Sequence, residues 1–352
     1  MEPLDPYQRP PDTIRSVYKK YQRMSPQHLD ADPAIVDLSR DTTTGPKSRL
    51  RVVGEVEAGR LTAAFRVFGD GEVEPEAPLG AAVYEHEDMP GLHMIPSLLP
   101  PEIQLALLSR LLHRDLSQPA HLTNIHTHYN ISYPPSGASF FSVSPSSTDV
   151  VARPIDASVH RPLGISQLLH KKMRWMTLGG QYDWTRKRYP DGTPPAFPPD
   201  IKLLLESAFA DTRAEAAILN LYSPGDTLSV HRDVAESSST GLISISLGCD
   251  AIFVIGTSSA TLSSGHKLDE PSSNGTEDRI VTLRLRSGSA VYMSGPSRFA
   301  WHGVPQIISG TCPTYLRRWP VGDVNVGEDE YEEWRGWMES KRVNLNVRQM
   351  WD

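Results

Sequence analysis

Asn220–Asp233 reads NLYSPGDTLSVHRD, and the fold of the whole chain turns on how that stretch is read. Apolar residues alternate on either side of Pro224-Gly225, with Ile218 and Leu221 before the break and Leu228 and Val230 after it. The pattern gives two short strands joined at a turn. Side chains two apart on an extended strand share a face, so His231 and Asp233 set an imidazole beside a carboxylate, opposite Val230. That pair makes two-thirds of a metal site.

Three other His-X-Asp triplets serve as controls: His28/Asp30, His86/Asp88 and His113/Asp115. The last lies in PPEIQLALLSRLLHRDL, where Ile103, Leu107, Leu108, Leu111 and Leu112 recur at helical spacing. Residues two apart on a helix diverge by roughly 200° and cannot chelate one ion. Its HRDL lacks the asparagine and the glycine-rich loop that a kinase needs. His28 and His86 fall in Asp/Glu/Pro-rich stretches expected to be solvated, so only the 231/233 pair is expected on a strand.

Beyond this stretch, GLISISLG, AIFVIG, RIVTLRLRSG, SAVYMSG and AWHGV are short, β-branched or alternating, and separated by Gly, Ser or Asp, the pattern of a sandwich or jelly roll. Thr257–Asp278 is a polar insertion expected to form a mobile hairpin tip with a solvated His266. Upstream, Pro101–Asp115 and Pro198–Ala210 read as helices, TIRSVYKKYQRM as a basic-aromatic helix packed on the body or a partner, and Tyr133–Val159 as a long surface loop. EDEYEEWRGWMES reads as an acidic, aromatic helix before a last strand, RVNLNVRQM; residues 41–90 carry no clear period.

With 352 residues, 39% hydrophobic, the chain suffices for one large or two modest domains with a buried core. No apolar run approaches the roughly 20 residues of a membrane helix. Two cysteines make neither a disulfide framework nor a structural zinc site, and the first twenty residues lack a signal or presequence pattern, so cytoplasm and nucleus are expected. A net charge of −7 excludes a protein that coats polyanions indiscriminately. Locally, Lys171, Lys172, Arg174, Arg186, Lys187 and Arg188 surround Trp175, Tyr182 and Trp184, which suits either a nucleic-acid strand or a solvated loop over buried rings.

A third metal ligand should come from a later strand, and His302 in SRFAWHGVP, followed by Gly303 where a site needs room, is the natural candidate. Two histidines and a carboxylate on one face leave open positions on an octahedral ion, the arrangement of non-haem Fe(II) oxygenases. In the last strand Arg342, Asn344, Asn346 and Arg348 alternate with Val343, Leu345 and Val347. Two guanidiniums on one inward face call for an anion, and a dicarboxylate fits their planar forks; an edge strand with a solvated polar face is the alternative.

The order Asn-X-Tyr, Pro-Gly, His-X-Asp, Ser-Arg, His-Gly, Arg-X-Asn and Arg resembles the AlkB family of iron- and 2-oxoglutarate-dependent nucleic-acid dioxygenases, over roughly Lys171–Met350. It is most similar to the subgroup of the first mammalian AlkB homologue through MRWMTLGGQYDW, RAEAAILNLY, KRVNLNVRQM and the opening IRSVYKKYQR. The resemblance implies an α+β fold with a double-stranded β-helix (jelly-roll) core, flanking helices and a nucleotide-recognition lid. Its parts are an N-terminal helix and irregular arm in 1–90, helical support and lid in 91–210, and the dioxygenase core in 211–352. By motif, His231, Asp233 and His302 bind Fe(II); Asn220, Tyr222 and Arg342 hold the distal carboxylate of 2-oxoglutarate, with Arg348 near its metal-chelating end and Asn344 in support. Trp175 and Tyr182 lie over the flipped base or contact its backbone, and Arg298 lines the substrate channel. Two positions after the metal aspartate, where the bacterial enzyme has an acidic base-reading residue, stands Ala235, with Glu236 next to it as the substitute.

The implied activity is oxidative demethylation of N6-methyladenine or N1-methyladenine in RNA or DNA, using Fe(II), 2-oxoglutarate and O2 and releasing formaldehyde, succinate and CO2. The expected partner is single-stranded or looped nucleic acid, since a base must leave its stack to be reached, and the protein is expected to be a monomer. The alternatives are oxidation of methylated cytosine in tRNA or protein hydroxylation by the same chemistry, and a binding module without turnover.

Overall fold

The structure is a computed structural model that describes residues 4–39, 49–69, 80–258, 278–322 and 330–351; the insertion at 259–277, with His266, lies outside them. Every segment read as a strand after Glu215 is one. The smaller sheet runs in spatial order β1 (Ile35–Val36), β13 (Arg279–Leu285), β12 (Ala251–Thr257), β15 (Trp301–Ile307) and β10 (Leu228–His231). The larger runs β2 (Leu50–Val56), β3 (Ala81–His86), β4 (Met89–Ile95), β14 (Ala290–Met293), β11 (Leu242–Gly248), β16 (Arg342–Arg348), β9 (Ala216–Tyr222) and β8 (Trp175–Gly179). All pairings except that of β1 with β13 are antiparallel in these two sheets.

Strand alternation sorts the smaller sheet into two faces. Ala251, Phe253 and Ile255 join one buried cluster with Ile243, Leu345 and Val347 of the larger sheet, which closes the jelly roll. Ile252 and Val254 face the other way and meet Ile14 and Tyr21 of the helix Asp12–Gln22, with Trp301 and Ile308. The N-terminal helix therefore covers the outer face of the sheet that carries His302.

Residues 41–90, without clear period in the sequence, contain β2 and β3 and the start of β4 of the larger sheet, and β8 lies beside β9 in it. Boundaries near 90 and 210 thus cut one hydrogen-bonded sheet rather than separate units. Three further readings are corrected. Tyr133–Val159 is not a free loop: it holds β6 (Val150–Pro154) and buries Phe140 and Phe141. Within the described part of EDEYEEWRGWMES, two 3-10 turns, Glu332–Trp334 and Trp337–Ser340, replace a helix, broken at Gly336 (φ +85°) so that Trp334 and Trp337 both reach the core. His86 ends β3 and is buried, Nδ1 accepting from the Asp88 amide at 3.2 Å, so a second triplet sits at a strand end, but it joins no three-residue metal-donor group among the described residues.

Candidate active site

Pro224-Gly225 turns the chain from β9, inside the larger sheet, to β10 on the edge of the smaller one; Gly225 takes φ +91° there. His231 is the last residue of β10 and lies directly opposite His302 of β15, which sets the two rings 4.4 Å apart. Gly303 follows, and the room it leaves belongs to the neighbouring strand: a Cβ there would meet the Leu228 carbonyl at 2.8 Å. Asp233 lies past the strand end, with Oδ1 3.7 Å from His231 Nε2 and Oδ2 3.9 Å from His302 Nε2. One donor atom from each residue falls within 4.8 Å of the others, the only such group among the described residues. Each ring turns Nδ1 to a backbone carbonyl, His231 to Ser229 at 2.8 Å and His302 to Ala300 at 3.0 Å. Because a carbonyl only accepts, Nδ1 carries the proton and Nε2 presents its lone pair inward, the form that ligates a metal.

Asp233 has no ladder to hold it, and three buried charges do so instead. Arg348 Nη2 donates to its Oδ2 at 3.0 Å, and Arg298 Nη1 to its carbonyl at 3.0 Å. Both guanidiniums also meet Glu236, Arg348 Nε at 3.3 Å and Arg298 Nη2 at 3.1 Å. Burial alone would raise the Asp233 carboxyl; the Arg348 guanidinium, then His231, His302 and Arg298, hold it far below the usual range. Burial first, then His231, pushes His302 down to about 4, so the imidazole is neutral near neutral pH.

The second constellation is one face of the larger sheet. Register pairs Arg342 with Tyr222 and Asn344 with Asn220 across β16 and β9, while Ser246 lies opposite Asn344 on β11. Arg342 is 1% exposed and donates to Cys249 O at 3.3 Å and Ser246 Oγ at 2.8 Å, with no carboxylate paired to it among the described residues. Burial draws its pKa down to about 10. Its Nε and the buried Tyr222 hydroxyl both lack hydrogen-bond partners among the described residues. A buried guanidinium without a counter-ion beside an unpartnered phenol is costly unless an external anion satisfies both. Asn344 Nδ2 donates to Ser244 Oγ and Ile245 O, both at 2.9 Å, and so braces β11.

A cleft of about 400 Å³ opens onto His231 and Asp233, floored by Asn220, Asn346 and Arg348 and walled by Tyr182 and Trp184. Tyr182 packs edge-on against Trp184 at 4.8 Å and Tyr189 at 5.2 Å; Trp175, across from Asn220, lies 5.3 Å from Trp184 as the second layer of the wall. Glu236 borders the cleft and Arg298 does not, but both side chains are 1% exposed and spent on the charge network under Asp233. The basic segment is also less free than its sequence: Arg174 pairs with Asp226, Arg186 with Asp183 and Arg188 with Asp191. Sequence reasoning missed Tyr189, whose hydroxyl accepts from Arg348 Nη1 at 3.2 Å; no spacing announces a partner so distant in the chain. Asn346 was legible as part of the polar face but was given no role.

Residues 91–348 match the model of the 2OG-Fe(II) oxygenase superfamily. The chain belongs to that superfamily. It is 45% identical over 359 residues to the N6-methyladenosine RNA demethylase ALKB1 of Pyricularia oryzae, covering 99% of this chain and 98% of that one. It is 48% identical over 233 residues to the N6-methyladenosine RNA demethylase ALKBH of Cryphonectria parasitica (65% of this chain, all of that one), and 38% over 276 residues to the tRNA demethylase abh1 of Schizosaccharomyces pombe (76% and 82%). Among solved structures it is similar to OsALKBH1, with a TM-score of 0.43 at 17% identity, over 74% of this chain and 97% of that one. Enzymes of the superfamily use Fe(II), 2-oxoglutarate and O2. The donor set fits both groups: inward Nε2 atoms beside a carboxylate suit Fe(II), and the unpartnered atoms of Arg342 and Tyr222 suit a carboxylate.

Proposed function

We propose that this 2OG-Fe(II) oxygenase demethylates N-methylated adenine, N6-methyladenine of RNA first, in single-stranded or looped segments. The observation that carries the reading is the cleft walled by Tyr182 and Trp184, which leads a flat ring to His231 and Asp233. The relative matched over nearly its full length bears the name of that activity. His231, Asp233 and His302 would hold the iron; Arg342, Tyr222 and Asn220 would take the distal carboxylate of 2-oxoglutarate, with Asn344 bracing them from β11 and Arg348 toward its other end.

With iron and 2-oxoglutarate bound there, O2 would be the oxidant: one oxygen atom would go to the N-methyl group, giving a hydroxymethyl lost as formaldehyde, and the other to 2-oxoglutarate, giving succinate and carbon dioxide. The chain's own residues do the placing. Arg348 and Arg298 fix Asp233 between the two rings, and the Nδ1 bonds to carbonyls hold each imidazole with Nε2 turned inward. Tyr182 and Trp184 offer stacking faces, worth roughly 1–3 kcal/mol per base, which offsets much of the cost of unstacking it. RNA and DNA oligonucleotides carrying N6-methyladenine or N1-methyladenine, analysed by mass after reaction with His231→Ala as control, test this. Loss of a methyl mass from RNA in the native protein alone is expected; every methylated adenine left intact would overturn the assignment.

A further inference from the structure

Resting on the reading of the cleft as a nucleic-acid site, we propose that the N-terminal segment Leu4–Gln8 is a strap that presents Lys187 to a backbone phosphate of the strand whose base enters the cleft.

Lys187 borders the cleft together with Pro6, so both elements stand at the mouth through which a nucleotide must pass. Its ammonium donates to the Pro6 carbonyl at 3.0 Å and lies 4.1 Å from the centre of the Tyr7 ring. Both partners are uncharged. Arg174, Arg186 and Arg188 each have a carboxylate, whereas Lys187 has none within ion-pair distance among the described residues. The strap therefore aims the ammonium without neutralising it, and a carbonyl and a ring face leave an N–H for an anion.

The aim is fixed from both sides. On the lid, Asp183 and Arg188 close a tight loop through an N–H to O=C bond of 2.9 Å, and Asp183 Oδ1 accepts the amides of Thr185 and Arg186. Lys187 takes φ +51° within that loop, a conformation a lysine rarely adopts without support. On the strap, Gln8 accepts a hydrogen bond from Arg232, the residue between His231 and Asp233. Arg232 in turn lies 4.4 Å over the ring of Trp301, next to His302. The strap is thus tied to the strands that carry the metal donors, and it holds Lys187 at a set place relative to them. A base that enters the cleft past Tyr182 and Trp184 leaves its phosphodiester at the mouth, where a cation without a counter-ion binds it.

The test is anisotropy of the full chain, loaded with Fe(II) and 2-oxoglutarate without oxygen, against a labelled single-stranded oligoribonucleotide containing N6-methyladenine, titrated at several salt concentrations. Each phosphate contact contributes about 0.7 to the slope of log affinity against log salt. Lys187→Ala is expected to weaken binding and flatten the slope by about that amount. Lys187→Arg should keep the slope, Tyr7→Ala should lower affinity in the same direction, and Lys19→Ala, on the exposed side of the first helix, should change neither. An unchanged slope in Lys187→Ala overturns the proposal, as does a native protein that does not bind the oligonucleotide. A flattened slope with no methyl loss under oxygen keeps the strap and sinks the demethylase reading, so the two fail separately.

Discussion

Glu236 is the residue whose role moved furthest from expectation. It stands next to Ala235, where the resemblance implied a base-reading residue, yet its carboxylate balances Arg298 and Arg348 beneath Asp233. Removing it leaves two guanidiniums buried against one carboxylate, a change expected to cost about 3–5 kcal/mol. Urea unfolding of Glu236→Ala reads this directly, and a loss under about 1 kcal/mol would show that water reaches the network. Arg342 presents the opposite case, a buried charge still lacking its partner. Arg342→Met is expected to leave the stability of the ligand-free protein nearly unchanged while abolishing the stabilisation by 2-oxoglutarate, about 2.7 kcal/mol at a hundredfold excess over Kd in the native protein. A melting scan with and without 2-oxoglutarate separates the two effects.

At the scale of the element, strands were legible wherever alternation met a punctuating Gly or Pro. The polar face of β16 and the His231/Asp233 pair are of this kind, because period two alone places their side chains. What period cannot give is which strand lies alongside: nothing in Ser244 and Ser246 announces that they meet Asn344 and Arg342, and nothing in Cys249 that its carbonyl takes a guanidinium. The helix expected over EDEYEEWRGWMES failed because burying Trp334 and Trp337 from a short segment outweighs helix propensity once Gly336 allows a left-handed turn. The two-residue strand β1 is too short for any sequence pattern, and its anchor is an ion pair, Arg286 Nη2 to Asp37 Oδ2 at 2.6 Å. Burial would raise the Asp37 carboxyl, but the Arg286 and Ser39 hydrogen bonds outweigh it and hold the pKa at about 2, below the ordinary 3.8. A depressed carboxylate stabilises fully above pH 4 and loses its contribution as pH falls toward 2; about 2 kcal/mol is expected to vanish in that window. Unfolding free energy followed from pH 5 to pH 2 should fall less steeply in Asp37→Asn.

In the whole molecule, the parts are more entangled than the order of motifs implies. The catalytic strands after residue 211 share a sheet with β2, β3, β4 and β8, and the helix Asp12–Gln22 seals the face behind His302. A fragment of residues 211–352 would expose β9 and β14 as unpaired edges, together with Ile252 and Val254, and is expected to aggregate rather than show the dispersed amide spectrum of a folded core. On the proposed reading the whole arrangement would place an N-methyl group before an iron held by His231, Asp233 and His302. That is tested most directly by quantifying succinate, formaldehyde and unmethylated adenine together in one reaction with N6-methyladenine RNA. Equal amounts of the three, all absent with His231→Ala, are predicted. Succinate that accumulates while the methylated base stays intact would contradict the account.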